Sequence, residues 1–414
     1  MWSAEKCIII SPLGGASMKV VVIGGGASGM IAALTAAENS NNKVVLLERQ
    51  NRLGRKLLAT GNGRCNLSNT HADVSHYHGY SPDFILPALN AFGVQDTLDF
   101  FHKLGLITVV EESGKVYPFS DQANSVVDTL RFAIERSSVS VHCGCEVTSI
   151  HKKARGYNVK TADEAYFCDK LIIACGGCAG SKLGGSNFGY QFLETFGHTC
   201  SPLRPSLVQL KTDDNFTKSL KGVRADAGLV LKRNSSIVAE NTGEVQFTDL
   251  GISGPAIFEI SRHAERGDVL LLDLLRPMPL DSLVQFLSEK QRTSPNSPLE
   301  DFLTGILHNR LGRVVIQQGG WELSKTAADL NVDKLAQLIK HFPMIVSGTM
   351  GMDQAQVTAG GILTSEFHPD TLESRLSPGL YATGEVLDID GDCGGYNLQW
   401  AWSSGRLAGK LGGK

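Results

Sequence analysis

A glycine run followed at a set distance by a carboxylate is the pattern here most able to do chemistry. Gly24, Gly26 and Gly29 make G-x-G-x-x-G, with Gly25, Ala27 and Ser28 at the intervening positions. Each glycine would serve a separate purpose. Gly24 permits a tight turn, Gly26 lets a pyrophosphate approach the backbone, and Gly29 lets a helix pack closely on a strand. Glu48 stands 19 residues beyond Gly29, where a carboxylate can receive the two hydroxyls of an adenosine ribose. The pattern points to an adenine dinucleotide.

Those residues need a strand–turn–helix–strand frame, and the flanking sequence supplies one. Lys19–Ile23 reads as a buried parallel strand, continuously apolar after its first residue. An alanine-rich helical run covers Ser28 to about Glu38, and a second strand, Lys43–Leu47, delivers Glu48. The N-terminus of the helix offers free N–H groups and the positive end of a dipole to the phosphates.

Other reactive side chains are harder to assign. The loop Arg49–Asn69 carries Arg49, Arg52, Arg55, Lys56 and Arg64. It leaves the carboxyl edge of the sheet, where open α/β sheets place ligands, so its cations are expected at phosphate or cofactor. Leu171–Ala174 is another buried strand, ending in Cys175-Gly176-Gly177 at a further sheet edge near the cofactor. Cys175 and Cys178 have dithiol spacing, but packing at the strand end is the expected role. Cys65 lies beside Arg64, and packing is again expected. His76-Tyr77-His78 lacks further ligands at metal spacing and reads as a solvated loop, so no metal site is expected. No catalytic acid or base stands out.

Composition bounds the rest. The 414 residues suggest two or three domains, and 42% hydrophobic with 20% charged residues is typical of a globular protein. With 39 basic and 42 acidic residues the net charge is −3, and no apolar run approaches a membrane span. The expectation is therefore no nucleic acid and no membrane partner. Nine scattered cysteines do not form a secreted framework, which favours a cytoplasmic location. Residues 1–17 precede the first strand and read as an extension.

Further along, Ser81–Gly105 is helical in two pieces and Asn124–Ser137 is one amphipathic helix. Val139–His142 is a strand, and Glu146–Ile150, Tyr157–Lys160 and Ala165–Cys168 form an antiparallel meander. From Ser201 the character becomes β-rich, with short strands at Leu207–Lys211, Gly228–Arg233, Ile237–Glu240, Glu244–Phe247 and Val269–Leu274. Helices follow at Leu280–Gln291, Leu299–His308 and Val332–Phe342. The glycine-rich pattern returns at Leu380–Gly409. The expected division is 18–200 and 356–414 for one domain, interrupted by an insert over 201–355.

Several blocks together resemble the flavoprotein family that includes YhiN, BaiN and aminoacetone-oxidase-like proteins. They are VVIGGGASGM, LGRKLLATGNGRCNLSN, PSLV at Pro205–Val208, TGEVQFTDLGISGPA at Thr242–Ala256, VTAGGI at Val357–Ile362 and TGEVLDIDGDCGGYNLQWAWSSGRLAG. Cys175 replaces the more usual threonine and Gln209 the usual proline. Neither change removes a cofactor glycine.

The resemblance implies an α/β fold: a glutathione-reductase-like Rossmann domain holding FAD non-covalently, with an inserted β-barrel-like plus helical domain over the flavin. It would place the pyrophosphate on Gly24–Gly29 and the adenosine ribose on Glu48. Arg49, Lys56, Gly63, Arg64 and Cys65 would line the adjoining loop. Val147 would meet adenine through its backbone, and Ala174 and Gly176 would border the cofactor. Gly384 and Glu385 would approach the ribityl chain and pyrophosphate. Asn397, Leu398 and Gln399 would face the flavin pyrimidine ring, where a helix N-terminus favours negative charge.

A second G-x-G-x-x-G after a strand is missing, so NAD(P)H is expected only as a transient donor. The expected function is an FAD-dependent oxidoreductase acting on a small organic substrate, by reducing an activated C=C bond or oxidising an amine. A flavin-binding redox sensor is the alternative. The oligomeric state is unknown.

Overall fold

The computed structural model describes residues 17–413. The expected N-terminal extension, residues 1–17, lies almost wholly outside them. The described chain divides into two compact units. One comprises residues up to 177, 183–202 and from 360 onward; the other comprises 178–182 and 203–359.

The first unit is built on a five-stranded parallel sheet. Lys19–Ile23 (β1) occupies its centre because Val20, Val21, Val22 and Ile23 are β-branched and all buried. Lys43–Glu48 (β2) lies on one side of β1, followed by Ser140–Cys143. Lys170–Ile173 lies on the other side, followed by Leu380–Ala382. Register is set with Val21 opposite Leu171 on one flank and Val45 on the other. The last strand of the sheet therefore comes from the far end of the chain.

Ala27–Ala37 (α1) connects β1 to β2. It buries Met30, Ile31, Ala32, Ala33 and Ala36, so it has little polar face. Its second partner is the C-terminal helix, Tyr396–Gly409. The two helices approach closely through small residues. A Cβ on Gly409 would sit 2.6 Å from the Ala32 carbonyl oxygen, and one on Gly405 would overlap that of Ser28. Any side chain there would force the helices apart.

Tyr157–Thr161 pairs antiparallel with Val147–Lys152 and Ala165–Cys168. Two small antiparallel sheets were not read from sequence. One joins Ser68–Asn69, Lys115–Pro118 and Thr108–Val110; the other joins Tyr77–His78 to Asp390–Gly391. Their strands are too short for a period of two to register.

The second unit holds a closed six-stranded barrel of Leu210–Thr212, Gly251–Ser253, Ser236–Thr248, Arg224–Arg233, Val269–Asp273 and Phe342–Thr349. Phe342, Met344 and Val346 alternate inward with exposed Pro343 and Ile345, the pattern of a half-buried strand. Leu229, Leu231, Val245, Phe247, Leu270 and Leu272 join them in a core completed by the surrounding helices. Each such side chain contributes about 1.5–3 kcal/mol through burial. The two strands read as Ile237–Glu240 and Glu244–Phe247 are one continuous 13-residue strand. Asn241-Thr242-Gly243 looks like a turn, but it pairs in register with Leu229, Gly228 and Ala227. The helix expected over Leu299–His308 stops at Phe302, and a separate one runs Asn309–Gln318. His308 caps that second helix by accepting from the Arg310 N–H. Among the described residues no helix is long and apolar enough to cross a membrane.

Candidate functional site

The turn between β1 and α1 is anchored on three sides. Gly24 donates to the Leu47 carbonyl at 2.8 Å, and Ala174 donates to that of Ile23 at 2.8 Å. Gly24 has φ +108°, and a Cβ there would overlap the Ala174 carbonyl oxygen. Gly29 is equally constrained, since its Cβ would overlap the Gly24 carbonyl. Gly26 differs: its φ of −79° suits any residue, and nothing lies within 4 Å of a Cβ built on it. Two glycines therefore hold the turn, while the third leaves open space above it.

That space faces the first turn of α1. Gly26 provides no side-chain cap and the first turn carries no acid, so its leading N–H groups await an anion. Glu48 is fixed beside it. Its Oε2 accepts from Gly25 N–H at 2.6 Å and its Oε1 from Gln50 N–H at 2.6 Å. Each carboxylate oxygen keeps a second lone pair for a ribose hydroxyl.

Both ends of the chain meet here. Gly384, at φ +77°, would place a Cβ 2.7 Å from Ser28 Oγ in α1. Ser404 Oγ accepts from Gly384 N–H at 3.0 Å, and Trp400 Nε1 donates to the Gly384 carbonyl at 3.2 Å. Glu385 forms an ion pair with Lys56 at 2.8 Å. This links the basic loop to the C-terminal segment.

The remaining expected residues are dispersed in role. Arg49 donates to the Gly184 carbonyl at 2.8 Å and lies over Phe188. Gly144 and Cys145 N–H groups donate to the carbonyls of Gln50 and Glu48, which carries Val147 past the end of β2. Gly176, at φ +69°, and Gly63, at φ +86°, both face open space. Arg64 is ion-paired with Asp121 and Glu111 and stacks on Tyr117 with its guanidinium 4.0 Å from the ring centroid. Cys65 is buried at φ +60°. Burial pushes its thiol up to about 12, so it is no nucleophile near neutral pH. Cys175 is likewise pushed up to about 12 by burial, and neither it nor Cys178 forms a disulfide.

At the C-terminal helix, Gly395 is the N-cap at φ +103°, with no side-chain cap and no acid in the first turn. Asn397 is turned back on the preceding loop, exchanging bonds of 2.8 and 2.7 Å with the Gly391 N–H and carbonyl. Leu398 is partly buried beside it. Gln399 is fully buried and satisfied, accepting from Ser68 Oγ and donating to Thr97 Oγ1 and Ser403 Oγ. Its side chain holds the interior together, leaving the backbone of this turn as the part that can face a ligand.

Sequence reasoning passed over Asn66. Its buried Oδ1 has no hydrogen-bond partner, and a Cβ on Gly395 would approach it to 2.9 Å. A buried carbonyl without a donor is costly, so a ligand N–H at this helix N-terminus is the natural complement. The residue stands inside the block that carried the resemblance, but its unpaired state is visible only in three dimensions. An FAD fits this donor set: an open phosphate cradle, a ribose carboxylate and an orphaned acceptor at a second helix N-terminus.

Comparison with known proteins bears on these observations. Residues 18–411 match the family described as HI0933-like protein Rossmann domain. The chain is 40% identical to a 3-dehydro-bile acid delta(4,6)-reductase of Clostridium scindens, over 89% of this chain and 92% of that protein. It is 33% identical to a ribosomal RNA dihydrouridine synthase of Escherichia coli, over 87% of this chain and 90% of that one. It is 30% identical to a protein of the same name from Haemophilus influenzae, again over 87% and 90%.

These names correct the expectation that nucleic acid is excluded, since two relatives are named for acting on RNA. The physical reason is that a net charge of −3 sums over the whole surface and is blind to where its 39 basic residues gather. Recognition of a single unstacked base also needs few cations. The chain belongs to the HI0933-like Rossmann family and is an FAD-dependent oxidoreductase.

Proposed function

We propose that this protein reduces a C=C bond conjugated to a carbonyl in a small organic substrate, with reduced nicotinamide as a transient electron donor. The observation that carries the reading is the 40% identity, along 89% of the chain, to a protein named as a delta(4,6)-reductase. The other two relatives are named for making dihydrouridine, which is also saturation of a C=C bond beside a carbonyl. One reaction class covers both names, and RNA is the second substrate class for that reason. Eight cysteines of the described residues form no disulfide, which suits a reducing, cytoplasmic compartment.

In this reading Gly24–Gly29 and the α1 N-terminus receive the pyrophosphate, and Glu48 the adenosine ribose. Gly384 and Glu385 border the ribityl chain. The N-terminus of Tyr396–Gly409 and Asn66 Oδ1 receive the polar edge of the ring. Bound FAD would supply the hydride that the double bond gains. The chain's residues hold the charge and orient the ring; the helix N-terminus stabilises negative charge near it.

The experiment is a substrate comparison with flavin-loaded protein and NADH or NADPH under anaerobic conditions. A 3-oxo-4,6-diene bile acid, simpler enones, and a uridine-rich ribosomal RNA transcript are offered in turn. Saturation of the small enones supports the reading. Saturation of the transcript alone transfers the substrate to RNA, and saturation of none of the three overturns the reductase assignment.

A further inference from the structure

Conjugate reduction needs a proton as well as a hydride, and none of the residues described so far provides one. The tripeptide His76-Tyr77-His78, read from sequence as a solvated loop, is organised around a carboxylate. Tyr77–His78 pairs antiparallel with Asp390–Gly391, and Asp392 N–H donates to the His76 carbonyl at 3.0 Å. Asp392 then lies between the two imidazoles. Its Oδ2 is 3.0 Å from His76 Nδ1, and its Oδ1 is 2.6 Å from His78 Nε2.

An ionised carboxylate only accepts, so both ring nitrogens touching it carry hydrogen. That leaves His76 Nε2 as the exchangeable position of its ring, the arrangement by which a carboxylate orients a general acid. His76 Nε2 has no hydrogen-bond partner among the described residues. The group is accessible, with side-chain exposures of 32% for His76, 34% for His78 and 26% for Asp392.

The cluster is rigidly joined to the proposed ring site. His76 stacks on Tyr396 at 4.3 Å between centroids, and Tyr396 is the first residue of the C-terminal helix. Tyr77 Oη donates to the Tyr396 carbonyl at 3.1 Å, and Asn397 Nδ2 donates to the Asp392 carbonyl at 3.2 Å. Other titratable groups nearby do not compete for the proton. Burial holds the Tyr77 phenol far above neutral pH. Asp73 is held below the usual carboxylate range, first by the Ser75 hydroxyl and backbone, and is an acceptor. Asp388 accepts from Tyr80 N–H at 3.4 Å.

We propose that His76 is the proton donor of the reduction, oriented by Asp392, with His78 holding the other oxygen of that carboxylate; the proposal rests on the conjugate-reduction reading. The β-carbon would gain a hydride from the reduced cofactor, the C=C π pair moves toward the carbonyl oxygen, and the α-carbon takes the Nε2 proton of the His76 imidazolium, which is left neutral with its remaining hydrogen on Nδ1. The imidazole recovers its proton from water, and reduced nicotinamide restores the electrons.

The test separates the half-reactions in flavin-loaded His76→Gln, Asp392→Asn and wild type. Reduction by NADPH or dithionite, and reoxidation by ferricyanide, which takes electrons without needing a proton donor, should stay within about twofold of wild type. Reoxidation by an enone should fall by about 10²-fold or more in His76→Gln, and its pH profile should lose the limb that His76 provides. A structural readout accompanies these: ¹⁵N spectra of the wild type should show the neutral form of His76 with its hydrogen on Nδ1, and Asp392→Asn should release that tautomer preference. Enone reoxidation within threefold of wild type in His76→Gln, with an unchanged pH profile, overturns the proposal while leaving the reductase reading intact. So does an equal loss of all three rates in both variants, which would mark a purely structural clasp. If the wild type is reoxidised by ferricyanide but by no enone and no uridine, the reductase reading fails and the proposal with it.

Discussion

Substituting Gly26 by valine separates cofactor binding from folding. The backbone there, at φ −79° and ψ −168°, is open to any residue, and a Cβ meets nothing within 4 Å. Removing a glycine lowers the entropy of the unfolded chain by an equivalent of about 0.4–1 kcal/mol. Losing glycine as an N-cap costs about the same. The apoprotein should therefore melt within about 2–4 °C of wild type. FAD is another matter, because phosphate oxygens must come within about 2.9 Å of the α1 N–H groups and a branched side chain occupies that space. Forfeiting two charge-assisted hydrogen bonds at about 1.5–3 kcal/mol each weakens binding by about 10²–10⁴-fold. Fluorescence titration of apoprotein with FAD measures the loss, and circular dichroism the melting. Gly29→Ala is the contrast: its Cβ would overlap the Gly24 carbonyl, so it should destabilise the apoprotein itself by about 1–3 kcal/mol. A Gly26→Val protein that binds FAD within threefold of wild type would refute the placement of the pyrophosphate.

Asn66→Ala should weaken FAD about tenfold in the same titration, and 3-methyl-FAD, which cannot donate from that ring nitrogen, should discriminate far less between variant and wild type. The double variant Cys175→Ser/Cys178→Ser should keep its flavin and its rate of reduction by NADPH, since burial keeps the Cys175 thiol protonated; a large rate loss in stopped-flow would point to a dithiol relay. His198, buried between Glu366 and Ser374, has its pKa lowered below the ordinary 6.5 because burial outweighs the carboxylate. The unfolded chain thus binds the proton more readily, so this contribution to stability is complete above about pH 6.5 and is lost as pH falls through the folded value. His198→Gln should show a shallower fall in melting temperature between pH 7 and 5.

Much of the nucleotide-binding frame was legible because it is local. The strand–glycine–helix–strand–acid series of Lys19–Glu48 lies within 30 residues, and each glycine's purpose follows from backbone geometry. The return of Leu380–Gly409 to the same sheet was readable from its glycines. What stayed hidden depends on partners far along the chain. The side-chain bonds of Gln399 to Ser68 and Thr97 could not be read from sequence, because those partners lie 331 and 302 residues away. His76 and Asp392 are 316 positions apart, so no spacing rule could join them. Arg64 is expected at phosphate or cofactor because its loop is basic, and its ion pairs with Glu111 and Asp121 could not be read because those acids come from a different stretch.

The account stands most directly on the product of a single anaerobic incubation. Flavin-loaded protein, excess NADPH and a 3-oxo-4,6-diene bile acid are mixed, and the steroid is analysed by mass spectrometry. The expected product has gained two hydrogen atoms, in many-fold excess over protein, and in deuterated water carries solvent deuterium at the carbon α to the carbonyl. Recovery of unchanged steroid, from protein whose flavin the donor reduces and ferricyanide reoxidises, would contradict it.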